Sequence, residues 1–239
     1  MALPWKVIES VPTADGLLEL RQRGERDFLI TIGSQVLMNS LSNRSEIVLG
    51  QLGCEKLKGT ASPRVLLAGL GMGITLRGAL DTLPPDAVVD VAELNPVVAD
   101  WCRGPLAPLT AGAVSDPRVS LRICDVTAMI RSAATQGGAA RYNAIVLDLY
   151  RGPHARTDRT GDPFYGSRVI AVMRDALLPG GTLAVWGENF DEGYVERLEK
   201  AGFEVTVKRP GRGGLRMAVF LARLPGKGPV SPAGEKIRS

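Results

Sequence analysis

Histidine is almost missing from this 239-residue chain, His154 being the only one. Cysteine is scarce too: Cys54, Cys102 and Cys124 are far apart, and no Cys-x-x-Cys occurs. A metal site of the usual Cys/His kind would have to draw on scattered residues, so none is expected. An odd, sparse set of thiols fits a reducing compartment, and a cytoplasmic location is expected. No apolar run reaches the roughly 18–20 residues that span a bilayer, so no membrane partner is expected. The opening Met-Ala-Leu-Pro-Trp-Lys has no basic region followed by an apolar core, and no signal peptide is expected there. A strong charge of one sign is lacking as well. The net charge is +4, and half of it comes from the last fifteen residues, where Lys227, Lys236 and Arg238 face Glu235. No basic stripe interleaved with aromatics appears, so nucleic acid is not an expected partner. Arg151, Arg156 and Arg159 form the one local cluster. They read as a solvated loop, with attraction of an anionic substrate as the alternative.

What is present is a change of texture near Arg64. Before it, short β runs (Trp5 to Ile8, Leu17 to Leu20, Phe28 to Ile32) are separated by Asp15-Gly16 and Gly24-Glu25, which are turn signals. This predicts a small antiparallel sheet over 1–45. Ser45 to Lys58 has helical spacing through Ile47, Leu49, Leu52 and Leu57. From Arg64 onward, strands alternate with helices. Strands are expected at Val65 to Ala68, Val88 to Ala92, Val119 to Ile123, Ala144 to Leu147, Thr182 to Trp186, Phe203 to Lys208 and Arg216 to Ala222. The glycine loop is followed by a helix to Leu80, and further helices are expected at Pro96 to Cys102, Thr127 to Ala134, Phe164 to Leu177 and Tyr194 to Ala201. Near-continuous apolar strands imply a parallel sheet covered on both faces. The fold class is therefore α/β, a seven-stranded methyltransferase-type Rossmann sheet over 46–224 with a small N-terminal antiparallel β subdomain. The Pro/Gly/Lys-rich segment 225–239 is expected to be disordered.

In such sheets ligands bind at the carboxyl ends of the strands, near the topological switch point. The first strand runs into Gly69-Leu70-Gly71-Met72-Gly73. A dinucleotide fingerprint needs a third glycine where Ile74 stands, so the usual pattern is not met. Glu93 ends the second strand, twenty-two residues after Gly71, where a carboxylate accepts hydrogen bonds from ribose hydroxyls. Asp125 follows the third strand, where it meets an adenine amino group, caps the next helix, or does both. Leu94 and Val126, their chain neighbours, complete the adenosine set. Asp148 ends the fourth strand, either to hold the ammonium of a methionine portion or to act as a base toward an amine. Together these residues favour S-adenosylmethionine as the cofactor.

Five segments resemble the spermidine synthase family. Arg64 to Leu76 is similar to its glycine motif. Asp116-Pro117-Arg118-Val119, leading to Asp125, resembles its third-strand segment. Tyr142 to Asp148 resembles the strand that carries its catalytic aspartate, and Phe164-Tyr165 and Leu178 to Gly181 are similar to the helix and turn next to it in the family. The resemblance implies the fold above and a family that often forms homodimers. It also exposes departures. Met72 stands where the aminopropyltransferases carry an aspartate, and Leu149 to Pro153 offers no second acid after Asp148. The polyamine-groove segment of the family aligns with Leu49-Gly50-Gln51, and the Gln before it aligns with Ser40. Uncompensated buried ammonium groups cost several kcal/mol each. Di- and triamines are therefore expected to be poor substrates.

The expected activity is methyl transfer from S-adenosylmethionine to a small-molecule acceptor. Asp148 and then Tyr150 are the candidate bases. Trp186 is expected to pack on the acceptor or in the core, and Glu188 to orient the acceptor. Trp101 is expected to pack a helix on the sheet, and His154 to lie on a loop surface. Aminopropyl transfer from decarboxylated S-adenosylmethionine is the first alternative, and a non-catalytic cofactor-binding domain the second. The long segment Leu149 to Asp162 argues against the latter, because loops of that length often serve as lids.

Overall fold

Alternating polar and apolar residues in the first forty positions build a four-stranded antiparallel sheet in the order β1-β2-β3-β4. Its strands are β1 (Lys6–Thr13), β2 (Gly16–Arg23), β3 (Asp27–Ile32) and β4 (Gln35–Asn39). Leu18, Leu20, Phe28 and Ile30 are its buried apolar residues. The fourth strand has no counterpart in the sequence reading. It is a short edge strand with no buried residue, so burial leaves no alternating pattern in it. The computed structural model describes residues 3–157, 159–210 and 217–226. The tail expected to be disordered lies, from 227 on, outside the described residues.

The second sheet has seven strands in the order β7-β6-β5-β8-β9-β11-β10. They are β5 (Arg64–Ala68), β6 (Val88–Glu93), β7 (Val119–Ile123), β8 (Tyr142–Leu147), β9 (Leu177–Gly187), β10 (Glu204–Lys208) and β11 (Ala218–Arg223). Strands β5 to β9 pair in parallel, and β11 runs antiparallel to both β9 and β10. The chain leaves β5 toward β6 and returns on its other side at β8, so the switch point lies between β5 and β8. This is the sheet expected from the sequence.

Successive residues of β5 enter opposite cores. Val65 and Leu67 join one cluster; Leu66 and Ala68 join the other. The first cluster holds apolar residues of the small sheet and of α1 (Arg44–Cys54), α2 (Ile74–Leu80) and α3 (Pro96–Arg103). The second holds those of α4 (Val126–Gln136), α5 (Ser167–Asp175) and α6 (Glu192–Lys200). Trp101 is buried in the first cluster, as expected, and its Nε1 also donates to Glu9 Oε2 at 2.7 Å, tying β1 to α3.

Helices α1 and α2 approach more closely than side chains would allow. A Cβ on Gly50 would lie 2.2 Å from the carbonyl of Thr75, and one on Gly78 would lie 2.7 Å from that of Ile47. Among the boundaries that differ from the sequence reading, two have a visible cause. Asp162 Oδ1 accepts the N–H groups of both Phe164 and Tyr165, which makes a turn there and delays α5 to Ser167. Strand β9 already starts at Leu177, which pairs with Tyr142. The pairing then slips until Ala144 meets Thr182, so Pro179-Gly180-Gly181 forms an irregularity within the strand.

Candidate functional site

Three parallel strands end together. Ala68 pairs with Ala92 on one side and with Leu147 on the other. The next residue of each strand is Gly69, Glu93 and Asp148. Their backbones stay linked: Gly69 N–H reaches Ala92 O at 2.9 Å, and Asp148 N–H reaches Ala68 O at 2.9 Å. With strands about 4.8 Å apart, the two carboxylates flank the glycine loop at neighbouring strand ends. Gly69 has φ +84, and a Cβ there would lie 2.3 Å from the Asp148 carbonyl. Only glycine lets the loop turn away while touching β8.

Glu93 is buried, and both of its oxygens are engaged. Oε2 accepts the Leu70 N–H at 2.9 Å and Oε1 accepts the Asn95 N–H at 2.8 Å. Each carboxylate oxygen keeps a second lone pair. Past it, Leu94 is exposed, and so is Ile123 at the end of β7. Asp125 is exposed and caps α4, with its Oδ1 accepting the Thr127 N–H at 2.8 Å; Val126 behind it is buried. The capping role considered from the sequence is thus present. A cleft of about 400 Å³ opens beside Leu94, Asn95 and Val97, under the Val11 to Asp15 hairpin.

Asp148 is a strongly perturbed group. Burial pushes its carboxyl up to about 7, the nearby charge of Glu46 adds to that, and a hydrogen bond from Thr75 opposes it. Thr75 Oγ1 lies 2.6 Å from Asp148 Oδ2. Glu46, on the first turn of α1, is itself buried and held above the usual carboxylate range by burial. The sequence does not single it out, because an acid in a helix's first turn usually faces solvent.

Met72 is fully buried in the core cluster shared by α1, α2 and α3. Its N–H donates to Met38 Sδ at 3.1 Å, and a Cβ on Gly71 would lie 2.8 Å from that sulfur. The small sheet thus lays Met38, on the strand the sequence did not reveal, over the glycine loop. Cys102 Sγ donates to Gly71 O at 3.3 Å, and burial followed by the charge of Glu93 pushes its thiol up to about 12.

On the β9 side of β8, Val185 pairs with Leu147, which puts Trp186 level with Asp148. Trp186 is half-buried, but its Nε1 is enclosed without a hydrogen-bond partner among the described residues. Such an orphan donor costs about 1–3 kcal/mol and suits an acceptor atom on a bound molecule. Glu188 is exposed. Tyr150 is exposed under the Arg151 guanidinium, 5.1 Å from its ring centroid. His154 lies on the surface, its Nδ1 accepting the Arg156 N–H at 2.8 Å. Gly152 and Pro153 are buried against the end of β9; a Cβ on Gly152 would lie 2.5 Å from Gly187 Cα. The Tyr165 hydroxyl donates to Arg151 O and anchors the same loop. The three cysteines are free, no group of metal-ligating side chains occurs among the described residues, and no helix among them is long and apolar enough to cross a membrane.

The residues present suit an adenosyl group bearing a cationic tail: a tight glycine loop, strand-end carboxylates beside exposed apolar residues, and a half-buried acid level along the sheet with Trp186, whose indole N–H has no partner among the described residues. The fold is that of spermidine synthase from Thermotoga maritima, with a TM-score of 0.69 over 94% of this chain and 74% of that one at 16% identity. A spermidine synthase in complex with the transition state analogue AdoDATO gives a TM-score of 0.68 at 17% identity. In sequence, 121 residues are 34% identical to a polyamine aminopropyltransferase of Mycobacterium tuberculosis, covering 51% of this chain and 22% of that protein. A further match, to putrescine N-methyltransferase 3 of Nicotiana tabacum, is 32% identical over 126 residues, covering 53% of this chain and 30% of the plant protein. The chain therefore spans less than a third of the length of these curated relatives. No family model matches.

Proposed function

From the premise that this chain is a spermidine synthase-like protein in both fold and sequence kinship, we propose that it transfers a methyl group from S-adenosylmethionine to a small amine. The observation that carries this reading is Asp148, a carboxyl raised to about 7 by burial at the strand end beside the glycine loop. A group that titrates near neutrality is suited to take a proton at working pH. When bound, the cofactor supplies a sulfonium carbon already activated for displacement. The chain's task is then to align the acceptor, exclude water and receive the proton. Gly69 to Gly73 would seat the tail of the cofactor, with Glu93 accepting from the ribose through its spare lone pairs. Asp125 would accept from the adenine amino group, and Leu94 and Val126 would flank the ring. Trp186 Nε1 and Asp148 would face the acceptor, with Glu188 and Tyr150 at the rim.

Met72 favours the intact cofactor. An acid at that position would repel the carboxylate of S-adenosylmethionine; a methionine buried in the core does not. The second reading is aminopropyl transfer from the decarboxylated form. Glu46 favours it, since a buried acid close to the half-buried Asp148 offers a diamine another counter-charge. Calorimetric titration with the two cofactor forms, followed by product analysis with putrescine and other small amines, tests both. The expected result is tighter binding of S-adenosylmethionine and a methylated amine. Tighter binding of the decarboxylated form with an aminopropylated product would replace the first reading with the second. Binding of neither form would overturn both.

A further inference from the structure

Two groups beside Asp148 take no direct part in the methyl transfer proposed for this site. Thr75, the second residue of α2, is buried, and its Oγ1 faces two acceptors: Asp148 Oδ2 at 2.6 Å and the carbonyl oxygen of Glu46 at 3.2 Å. A threonine hydroxyl has one proton to give. When Asp148 is ionised, that proton serves Oδ2. When Asp148 is protonated, the carboxyl can donate across the 2.6 Å contact, and the threonine proton turns to Glu46 O. Either charge state leaves the pair hydrogen-bonded.

Glu46 is brought to this place by the glycine clamp between α1 and α2. Its Oε2 accepts from Ser45 Oγ at 2.6 Å. None of the ion pairs among the described residues involves Glu46 or Asp148. The groups that face Asp148 are Glu46 from α1, Thr75 from α2 and Tyr165 from the segment before α5. Tyr165 stays neutral, because burial pushes its hydroxyl well above the ordinary tyrosine range. The charge balance at Asp148 thus falls to Glu46 and Thr75.

We propose that Glu46 and Thr75 are positioning residues that set the charge of Asp148, Glu46 favouring its protonated form and Thr75 its ionised form. The inference rests on Asp148 being the base of the proposed transfer. There, the lone pair of a neutral acceptor amine forms the new C–N bond. The C–S bond breaks with its electron pair going to sulfur, and the surplus proton on nitrogen passes to ionised Asp148. Thr75 holds the base ready before the step. Glu46 makes it hold the proton afterwards.

The test is a carbon-13 NMR pH titration of the Asp148 carboxyl in the full, ligand-free chain. The wild-type midpoint is expected near neutrality. Glu46→Gln is expected to lower it, Thr75→Val to raise it, and Thr75→Ser to leave it at the wild-type position. A purely structural role would not move the midpoint in opposite directions. A wild-type midpoint in the ordinary carboxylate range overturns the proposal. Shifts of the same sign in Glu46→Gln and Thr75→Val overturn it as well. If Glu46→Gln does not fold, the wild type with the Thr75→Val and Thr75→Ser pair decides. No cofactor enters the measurement, so it stands or falls separately from the transferase reading.

Discussion

Glu93 accepts the backbone N–H of Leu70 at 2.9 Å, so the end of β6 braces the glycine loop that follows β5. One carboxylate therefore has two duties, shaping the loop and, in the proposed function, receiving ribose hydroxyls. Replacing Glu93 with Ala should weaken S-adenosylmethionine binding by about 1–3 kcal/mol and also lower the melting temperature of the ligand-free protein. Glu93→Gln keeps one acceptor oxygen and should fall between. Calorimetry and thermal melts report the two effects separately. An affinity unchanged in Glu93→Ala would remove this residue from the cofactor site.

Much of this is legible because the site acids close apolar strands. A run such as Ala144 to Leu147 is buried throughout, and the first polar residue after it has to emerge at the sheet edge. That logic places Gly69, Glu93 and Asp148 side by side from the sequence alone. It cannot place Glu46, Thr75 or Met38. Glu46 and Thr75 lie on helices, where sequence spacing reports a face but not what covers it. What covers them depends on how closely α1 meets α2, which two glycines decide. Met38 depends on a strand with no buried residue and hence no pattern. Met72 reads as a cofactor contact from its place in the loop; its side chain is buried in the core, while its backbone belongs to the loop.

Asp148 makes stability depend on pH. Its pKa rises from an ordinary value near 4 in the unfolded chain to about 7 in the folded one. The folded state therefore binds this proton more tightly. The associated stability is full below about pH 4 and is lost as pH rises through 7. Asp148→Asn should accordingly stabilise the fold at pH 8 by an amount on the order of 2–4 kcal/mol, and by much less at pH 4, while abolishing most transfer. Urea melts at the two pH values check the first part. A variant that gains equally at both would show that Asp148 is not the group responsible.

Gly50 gives the α1–α2 contact a direct test. An added methyl would lie 2.2 Å from Thr75 O and 2.7 Å from Ala79 N, and neither backbone atom can move without its helix. Gly50→Ala should cost about 1–3 kcal/mol through overpacking. It should also move Glu46 away from Thr75, so the Asp148 midpoint should fall toward that of Glu46→Gln. Gly59→Ala is the matched control, because nothing lies within 4 Å of a Cβ there. Equal stability of the two variants would mean that the helices pack more loosely than described.

Trp101 on α3 and Glu9 on β1 are joined by one hydrogen bond, 2.7 Å from indole Nε1 to Oε2. The indole is buried in the main core, whereas β1 is an edge strand with mostly exposed residues. The bond therefore does more to locate the small sheet than to hold the core. Glu9→Gln keeps an acceptor oxygen and should be nearly neutral. Trp101→Phe removes the donor but keeps most of the apolar body, and should cost about 1.5–3 kcal/mol, as expected for a bond to a charged group. The larger consequence should appear at a distance. The small sheet carries Met38 over Gly71, so loosening β1 should speed amide exchange at Met72, whose N–H Met38 holds. Hydrogen exchange in Trp101→Phe measures this directly. Faster exchange confined to β1 and β2, with Met72 unchanged, would show that β4 is held over the loop by its own contacts.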